Sequence, residues 1–246
     1  YNSLVQVDYN TYALAYSGGT STSTNSYYYG FLKTFTIPPD GSSITQVKSF
    51  QNNTINNTGT YHSLIKINSE EYALAYAGYG NDGFIDNFTI SSDGDSIKKV
   101  WSLEHDTNTG TNNSLIMVDK DTYALAYQGY NQGTAGGNLW GGWIKTFTVN
   151  GGTITQTAQL KHAAMQTTWH SLVQVDANTY LLAYTDDSND GWLKTFTIPA
   201  DGSSITAVAS LEQDTDYGAG NSLVQLDEDT YVLAYTYNSN PGSIKT

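Results

Sequence analysis

Residues 3–16, reading SLVQVD and then TYALAY, return in recognisable form at 63–76, 114–127, 171–184 and 222–235, so one short unit is written about five times in this 246-residue chain. The leading serines, Ser3, Ser63, Ser114, Ser171 and Ser222, stand 60, 51, 57 and 51 residues apart. That period is longer than the two-helix repeats of helical solenoids, and a unit of this size buries its apolar surface only against copies of itself.

Each unit carries four β-like segments, which in the first copy are 3–8, 11–16, 31–37 and 44–50. The first two are joined by a tight Asx/Thr turn, Asp8-Tyr9-Asn10-Thr11, which recurs as Asp119-Lys120-Asp121-Thr122, Asp176-Ala177-Asn178-Thr179 and Asp227-Glu228-Asp229-Thr230. Between the third and fourth segments stand Asp40-Gly41, Asp93-Gly94, Asn150-Gly151 and Asp201-Gly202, dipeptides that signal hairpins. The pattern predicts four-stranded antiparallel meanders. The second segment is apolar on both faces, Tyr12, Leu14 and Tyr16 on one and Ala13 and Ala15 on the other, so each sheet needs a neighbour on either side.

Radial repetition of such sheets meets that need, and the arrangement resembles kelch-like and other non-WD propeller repeats, including five-bladed lectin-like propellers. The expectation is an all-β protein, a β-propeller of four-stranded antiparallel blades at about 3–50, 63–103, 114–160, 171–211 and 222–246, in one domain spanning 1–246. The fifth copy reaches Gly242-Ser243-Ile244-Lys245-Thr246 and lacks a fourth segment. Either five inner strands form a ring, or the chain is part of a longer polypeptide.

Composition narrows the partners. Ten basic residues, all of them Lys, face 23 acidic ones for a net charge of −13, which argues against nucleic acid, since phosphate binding needs a clustered basic face. No apolar run approaches the length of a membrane span, so membrane insertion is not expected. The absence of Cys excludes disulfides and thiolate chemistry. A surface vocabulary of Asn, Thr, Ser, Gly and Tyr points to an extracellular protein or a component of a virion or cell surface.

Loop length separates scaffold from site. Between the second and third segments lie residues 17–29 in unit one and 128–141 in unit three, against 77–82, 185–190 and 236–241 in the others. The loops on that side carry Tyr28, Tyr61, Trp140 and Trp169, and binding residues commonly ride on loops held by a rigid scaffold. The third segment opens Gly30-Phe31, Gly83-Phe84, Gly142-Trp143 and Gly191-Trp192. These aromatics read either as inter-blade packing or as equivalent sugar platforms, with Asn81, Asp82, Asn189 and Asp190 beside them to bond hydroxyls.

His62 and His170 align with Asn2, Asn113 and Asn221, while His105 and His162 align with Gln213 and Asn52, a pattern that favours structural hydrogen bonding over zinc. Residues 186–191, Asp-Asp-Ser-Asn-Asp-Gly, resemble a calcium loop faintly, without the distal Glu, so no cofactor is expected beyond that weak Ca²⁺ signal. Asp86, which replaces a Lys of the other units, together with Asp187 and Asp216, departs from the repeat without forming a recognisable catalytic set. Glycosylation sequons fall at Asn52, Asn56, Asn87 and Asn112.

The resulting expectation is a non-catalytic, multivalent, lectin-like propeller that binds glycans or glycosylated surfaces, with glycosidase activity not excluded. The ligand-binding candidates are Tyr28, Tyr61, His62, Asn81, Asp82, Trp140, Trp143, Trp169, His170, Asn189, Asp190 and Trp192. The alternative is a structural, assembly or adhesin module that contacts a protein partner or another copy of itself through its faces or an open edge strand.

Overall fold

The computed structural model describes residues 2–21, 26–52, 59–130, 140–150, 153–237 and 242–246, with side chains described throughout except at 20, 21 and 26–28. Five antiparallel sheets follow one another along the chain. The first contains β1 (Ser3–Asp8), β2 (Thr11–Ser21), β3 (Ser26–Thr36) and β4 (Thr45–Gln51), and the second β5 (Thr60–Lys66), β6 (Glu71–Ala77), β7 (Gly83–Ile90) and β8 (Ile97–Asp106). The third has β9 (Gly110–Asp119), β10 (Thr122–Tyr130), β11 (Trp140–Asn150) and β12 (Thr153–Ala163), and the fourth β13 (Thr168–Asp176), β14 (Thr179–Thr185), β15 (Gly191–Thr197) and β16 (Thr206–Asp214). The fifth shows three strands among the described residues, β17 (Ala219–Gln225), β18 (Tyr231–Thr236) and β19 (Gly242–Lys245). Strand order follows chain order in every sheet, and this is the blade meander of a five-bladed β-propeller.

Backbone contacts divide the chain into two compact units, 1–111 with the first two blades and 112–246 with the other three. Within each, blade packs on blade through the apolar faces anticipated from the repeat. In the first unit Val7, Ala13, Ala15 and Leu32 of blade 1 share a core with Leu64, Tyr72, Leu74 and Phe88 of blade 2. In the second, Ala124, Ala126 and Ile144 of blade 3 pack with Leu172, Tyr180, Leu182 and Phe196 of blade 4. A smaller cluster joins Ala183 to Leu223, Leu233 and Tyr235 of blade 5. The alanines of the second strand are what let neighbouring sheets approach; Ala13, Ala15, Ala73, Ala75, Ala124, Ala126 and Ala183 are all fully buried.

Polar members of the repeat fasten one blade to the next. The backbone N–H groups of Leu64, Leu172 and Leu223 each donate to the repeat serine of the preceding blade, Ser3, Ser114 and Ser171, at 2.9 Å. The Asp-Gly turns join β3 to β4, β7 to β8 and β15 to β16 as antiparallel hairpin connections and make a second fastening. Gly41, Gly94 and Gly202 have φ of 65°, 75° and 65°, and each sits inside a longer loop whose turn is closed by a 2.8 Å bond to Pro38, Ser91 or Pro199. The loop reaches back to the preceding blade, where Thr34 donates to the Gly94 carbonyl at 2.6 Å and Thr146 to that of Gly202 at 2.7 Å. No helix among the described residues is long and apolar enough to cross a membrane.

Candidate functional site

At one end of blade 4 the register aligns Thr168, Thr185, Gly191 and Asp214 across the four strands. The loop joining β14 to β15, residues 186–190, departs there from the rest of the repeat. Gly18, Gly78 and Gly129 occupy the position of Asp186 in blades 1 to 3, and in each the third-strand aromatic lies over the bare glycine. A Cβ would fall 2.4 Å from the Phe84 ring at Gly78, 2.7 Å from Trp143 at Gly129 and 3.3 Å from Phe31 at Gly18. Asp186 supplies that Cβ, so the glycine-covering position is closed to Trp192. Its indole Nε1 donates instead to Asp186 Oδ2 at 2.9 Å.

The other carboxylate oxygen of Asp186 closes the loop, accepting from the N–H groups of Ser188 and Asp190 at 3.0 Å each. Asn189 turns the backbone with φ of 70°, as Asn81 does in blade 2 with φ of 75°. Both expected Asn-Asp-Gly sites are therefore turns in which Asn takes the left-handed conformation. Both Asp186 oxygens are thus engaged within the loop and by Trp192. Among the described residues no group of three or more acidic, His or Cys side chains is placed to hold a metal ion.

Beside Trp192 opens a cleft of about 340 Å³ between blades 3 and 4, lined by His162, Met165, Tyr184, Asp187 and Lys194 among others. Asp187 is exposed, whereas Asp190 is held toward its protonated form, first by burial and then by the charges of Asp186, Asp216 and Asp214. On the far side of β16 a polar cleft of about 280 Å³ is lined by Glu212, Asp214, Asp216 and Tyr237. Asp214 is pushed up by burial but pulled lower still by the N–H groups of Tyr217 and Asp216, the Tyr235 hydroxyl and Lys245.

His162, which lines the first cleft, is one of a buried imidazole pair. His162 and His170 meet edge to face at 5.6 Å, and His170 bonds the Asn112 carbonyl at 2.9 Å and Thr167 Oγ1 at 3.0 Å. Burial lowers His170 to about 4 and drives His162 well below its ordinary value, with His170 and Lys194 adding to the effect. Lys194 donates to the His162 carbonyl at 2.6 Å and is itself lowered by burial.

The expected site residues do not converge. Trp169, His170, Asn189, Asp190 and Trp192 gather at the end of blade 4. In blade 2, His62 is buried and stacks on Tyr76 with ring centres 6.4 Å apart, Tyr61 is half-buried, Asn81 is exposed, and Asp82 is raised first by burial and then by Glu104 and Asp106. In blade 3, Trp140 packs edge-on to Tyr130 at 5.0 Å, and Lys161 lies over Trp143 at 5.8 Å. The side chain of Tyr28 lies outside the described residues. Sequence reasoning left Asp186, Tyr184 and Lys194 out of the site; the available signal was the single unit in which Asp stands where three others have Gly. Of the sequons, Asn52, Asn87 and Asn112 are buried, which removes them as acceptors in the folded protein, and Asn56 lies outside the described residues.

No protein-family model and no curated protein sequence matches this chain. Solved structures do resemble it. A Dyadobacter fermentans protein of unknown function aligns with a TM-score of 0.64 at 12% identity over 99% of this chain and 76% of its own. The NanB sialidase of Streptococcus pneumoniae aligns at 0.59 and 14% over 84% of this chain, which spans about a third (32%) of the sialidase. The Penicillium chrysogenum α-L-arabinanase, complexed with arabinobiose, aligns at 0.58 and 10% over 100% of this chain and 77% of its own. These likenesses are likenesses of fold, and none singles out the kelch-like subtype.

The expectation of a non-catalytic multivalent lectin, with its structural or adhesin alternative, is corrected here. Propeller enzymes stand among the similar structures, and the repeated aromatic is not a repeated platform. Phe31 and Phe84 stack on Tyr16 and Tyr76 at 5.5 and 5.6 Å, Trp143 lies under Lys161, and Trp192 alone turns to bond Asp186. Equivalent sites on every blade require equivalent ring placements.

Proposed function

We propose that the chain is a carbohydrate-active propeller that cleaves glycosidic bonds of neutral glycans at the loop end of blade 4. The observation that carries this reading is the substitution of Asp186 for the repeat glycine, which turns Trp192 to the edge of a cleft and fixes two further carboxyls on one rigid loop. Glycoside hydrolysis needs one carboxyl that donates a proton and another that stays ionised. Asp190, raised above the ordinary carboxyl value first by burial and then by neighbouring carboxylates, fits the proton donor, and exposed Asp187, which lines the cleft, fits the second carboxyl. The indole face of Trp192 offers a flat apolar surface to the C–H face of a sugar. The sialidase and the arabinanase of like fold support carbohydrate as the substrate class. An extracellular location is in keeping with the sparsely charged, Asn- and Thr-rich surface.

Neutral glycans are favoured over acidic ones because the chain has no Arg and a net charge of −13. Planar recognition of a sugar carboxylate draws on the guanidinium fork. The test is release of reducing ends from arabinan, galactan, xylan and starch. Release from at least one is expected, with Asp190→Asn and Asp187→Asn each lowering it by about a hundredfold or more and Trp192→Ala acting mainly on KM. Absence of release from every neutral polysaccharide overturns the reading.

A further inference from the structure

Near the start of the inner strand in blades 2 to 5, one residue takes the left-handed conformation. Tyr61, Asn112 and Trp169 all have φ of 55°, and Gly220 has φ of 67°. The register shifts between Thr60 and Ser63, Thr168 and Ser171, and Ala219 and Ser222 mark the same bulge in blades 2, 4 and 5. Gly adopts this conformation without cost and Asn with little, whereas a bulky side chain is strained there. Blades 3 and 5 use Asn112 and Gly220. Blade 4 places a tryptophan at the position and leaves it 38% exposed.

Strain of this kind is kept where the side chain serves a purpose. We infer that Trp169 is a second aromatic subsite, and that the substrate of the blade 4 site is a glycan chain rather than a single sugar. The inference rests on the carbohydrate reading of that site. Trp169 lies near the start of β13 and Trp192 near the start of β15, with β14 between them. Two strand spacings put their backbones roughly 10 Å apart, a distance that an oligosaccharide covers and a monosaccharide does not. Tyr61 holds the same position in blade 2 but is half-buried, and the adjoining Gly78 there is covered by Phe84. The pairing of an exposed strained aromatic with an opened cleft therefore belongs to blade 4. Asn112 steadies the bulge by accepting the Trp169 N–H at 3.3 Å on its side-chain oxygen, while its amide donates to Gln128 at 3.0 Å.

The experiment is a titration of α-1,5-arabino-oligosaccharides and cello-oligosaccharides of two to six units against the wild type, Trp169→Asn and Trp169→Tyr. In the wild type, affinity is expected to rise with length. Trp169→Asn, the residue blade 3 uses, should leave disaccharide binding unchanged and weaken hexasaccharide binding by about tenfold, the upper range for a stacked aromatic contact. Trp169→Tyr should restore most of that loss. Equal weakening of disaccharide and hexasaccharide shows that Trp169 acts through the fold, and this overturns the subsite. Wild-type binding that does not depend on length overturns the subsite alone. A wild type that binds neither series and cleaves no neutral polysaccharide overturns the carbohydrate reading and the subsite with it.

Discussion

Lys33, Lys145, Lys194 and Lys245 each lie over the tyrosine of the neighbouring second strand, Tyr16, Tyr127, Tyr184 and Tyr235, at 5.1 to 5.5 Å from the ring centre. This cation–π contact explains the Lys of the repeat without any catalytic role. Blade 2 replaces it with Asp86, fully buried, which takes a 3.0 Å ion pair from Lys99 and a hydrogen bond from Ser102. Asp86 thus breaks the symmetry as a structural pair. Lys99→Met should cost about 3 kcal/mol in urea unfolding, because it strands a buried carboxylate, and Lys99→Met with Asp86→Leu should recover most of that loss. No recovery in the double variant would assign Lys99 another role. The buried imidazoles set a pH dependence. Both His162 and His170 have folded values below the ordinary 6.5, so the folded state binds fewer protons than the unfolded one, and stability is full above pH 6.5 and falls as pH drops toward about 4. The loss attached to His170 is about 3 kcal/mol. The groups facing this pair are Lys194, whose charge opposes protonation of His162, and the Asn112 carbonyl, which favours that of His170. His170→Asn, matching Asn113 and Asn221, should flatten the melting temperature between pH 6.5 and 4.5; an unchanged slope would place the titration elsewhere.

At the scale of the blade, the decisive contacts are between backbones. Gly110 comes against Gly83 so closely that a Cβ on Gly110 would lie 2.2 Å from the Gly83 Cα, and a Cβ on Gly218 would lie 2.5 Å from that of Gly191. The glycines before Phe84 and Trp192 are therefore fixed by the neighbouring blade, which is why the Gly-aromatic word recurs. Gly110→Ala meets backbone rather than a movable side chain and should lower stability by about 3 kcal/mol, the upper range for overpacking. Gly242→Ala, with nothing within 4 Å of its Cβ, should change it by less than about 0.5 kcal/mol. Equal effects in urea unfolding would mean that the approach relaxes. Blade 3 to blade 4 is the exception, since buried Thr167 stands opposite Gly142 with its Oγ1 2.8 Å from the Cβ position, and there Thr167 bonds His170. Strand number, order and the second-strand core were legible because alternation and repeat length act locally. The hairpins at Asp-Gly were legible, whereas their reach to Thr34 and Thr146 of the preceding blade was not, because those contacts lie about 60 residues away in sequence.

For the molecule as a whole, the repeat made the fold visible and obscured the site. Aromatics repeated in every complete unit drew attention to equivalence, whereas the site proposed above lies where one unit differs. Asp186 for glycine is a single-letter change whose effect, the turning of Trp192, follows only from knowing that the ring otherwise covers that glycine. The strain at Trp169 was equally invisible, since no residue type announces a positive φ at a bulge. Charge, by contrast, was readable at once and bears on the whole surface. With 23 acidic residues, 10 lysines and no arginine, the protein repels polyanions at long range and has no fork to clamp a carboxylate at short range. The repulsion is screened over about 10 Å at 0.1 M salt. Hydrolysis of a neutral polysaccharide such as arabinan should therefore change by less than about twofold as salt rises through that range, while an acidic one such as polygalacturonate should be cleaved at least about tenfold more slowly at low salt and gain as salt is added. Initial rates of reducing-end release on the two polymers measure this directly. A preference for the acidic polymer, or a rate on it that falls with salt, would require a local cationic site that outweighs the net field, and Lys194, already lowered by burial and turned to the His162 carbonyl, is poorly placed to supply it.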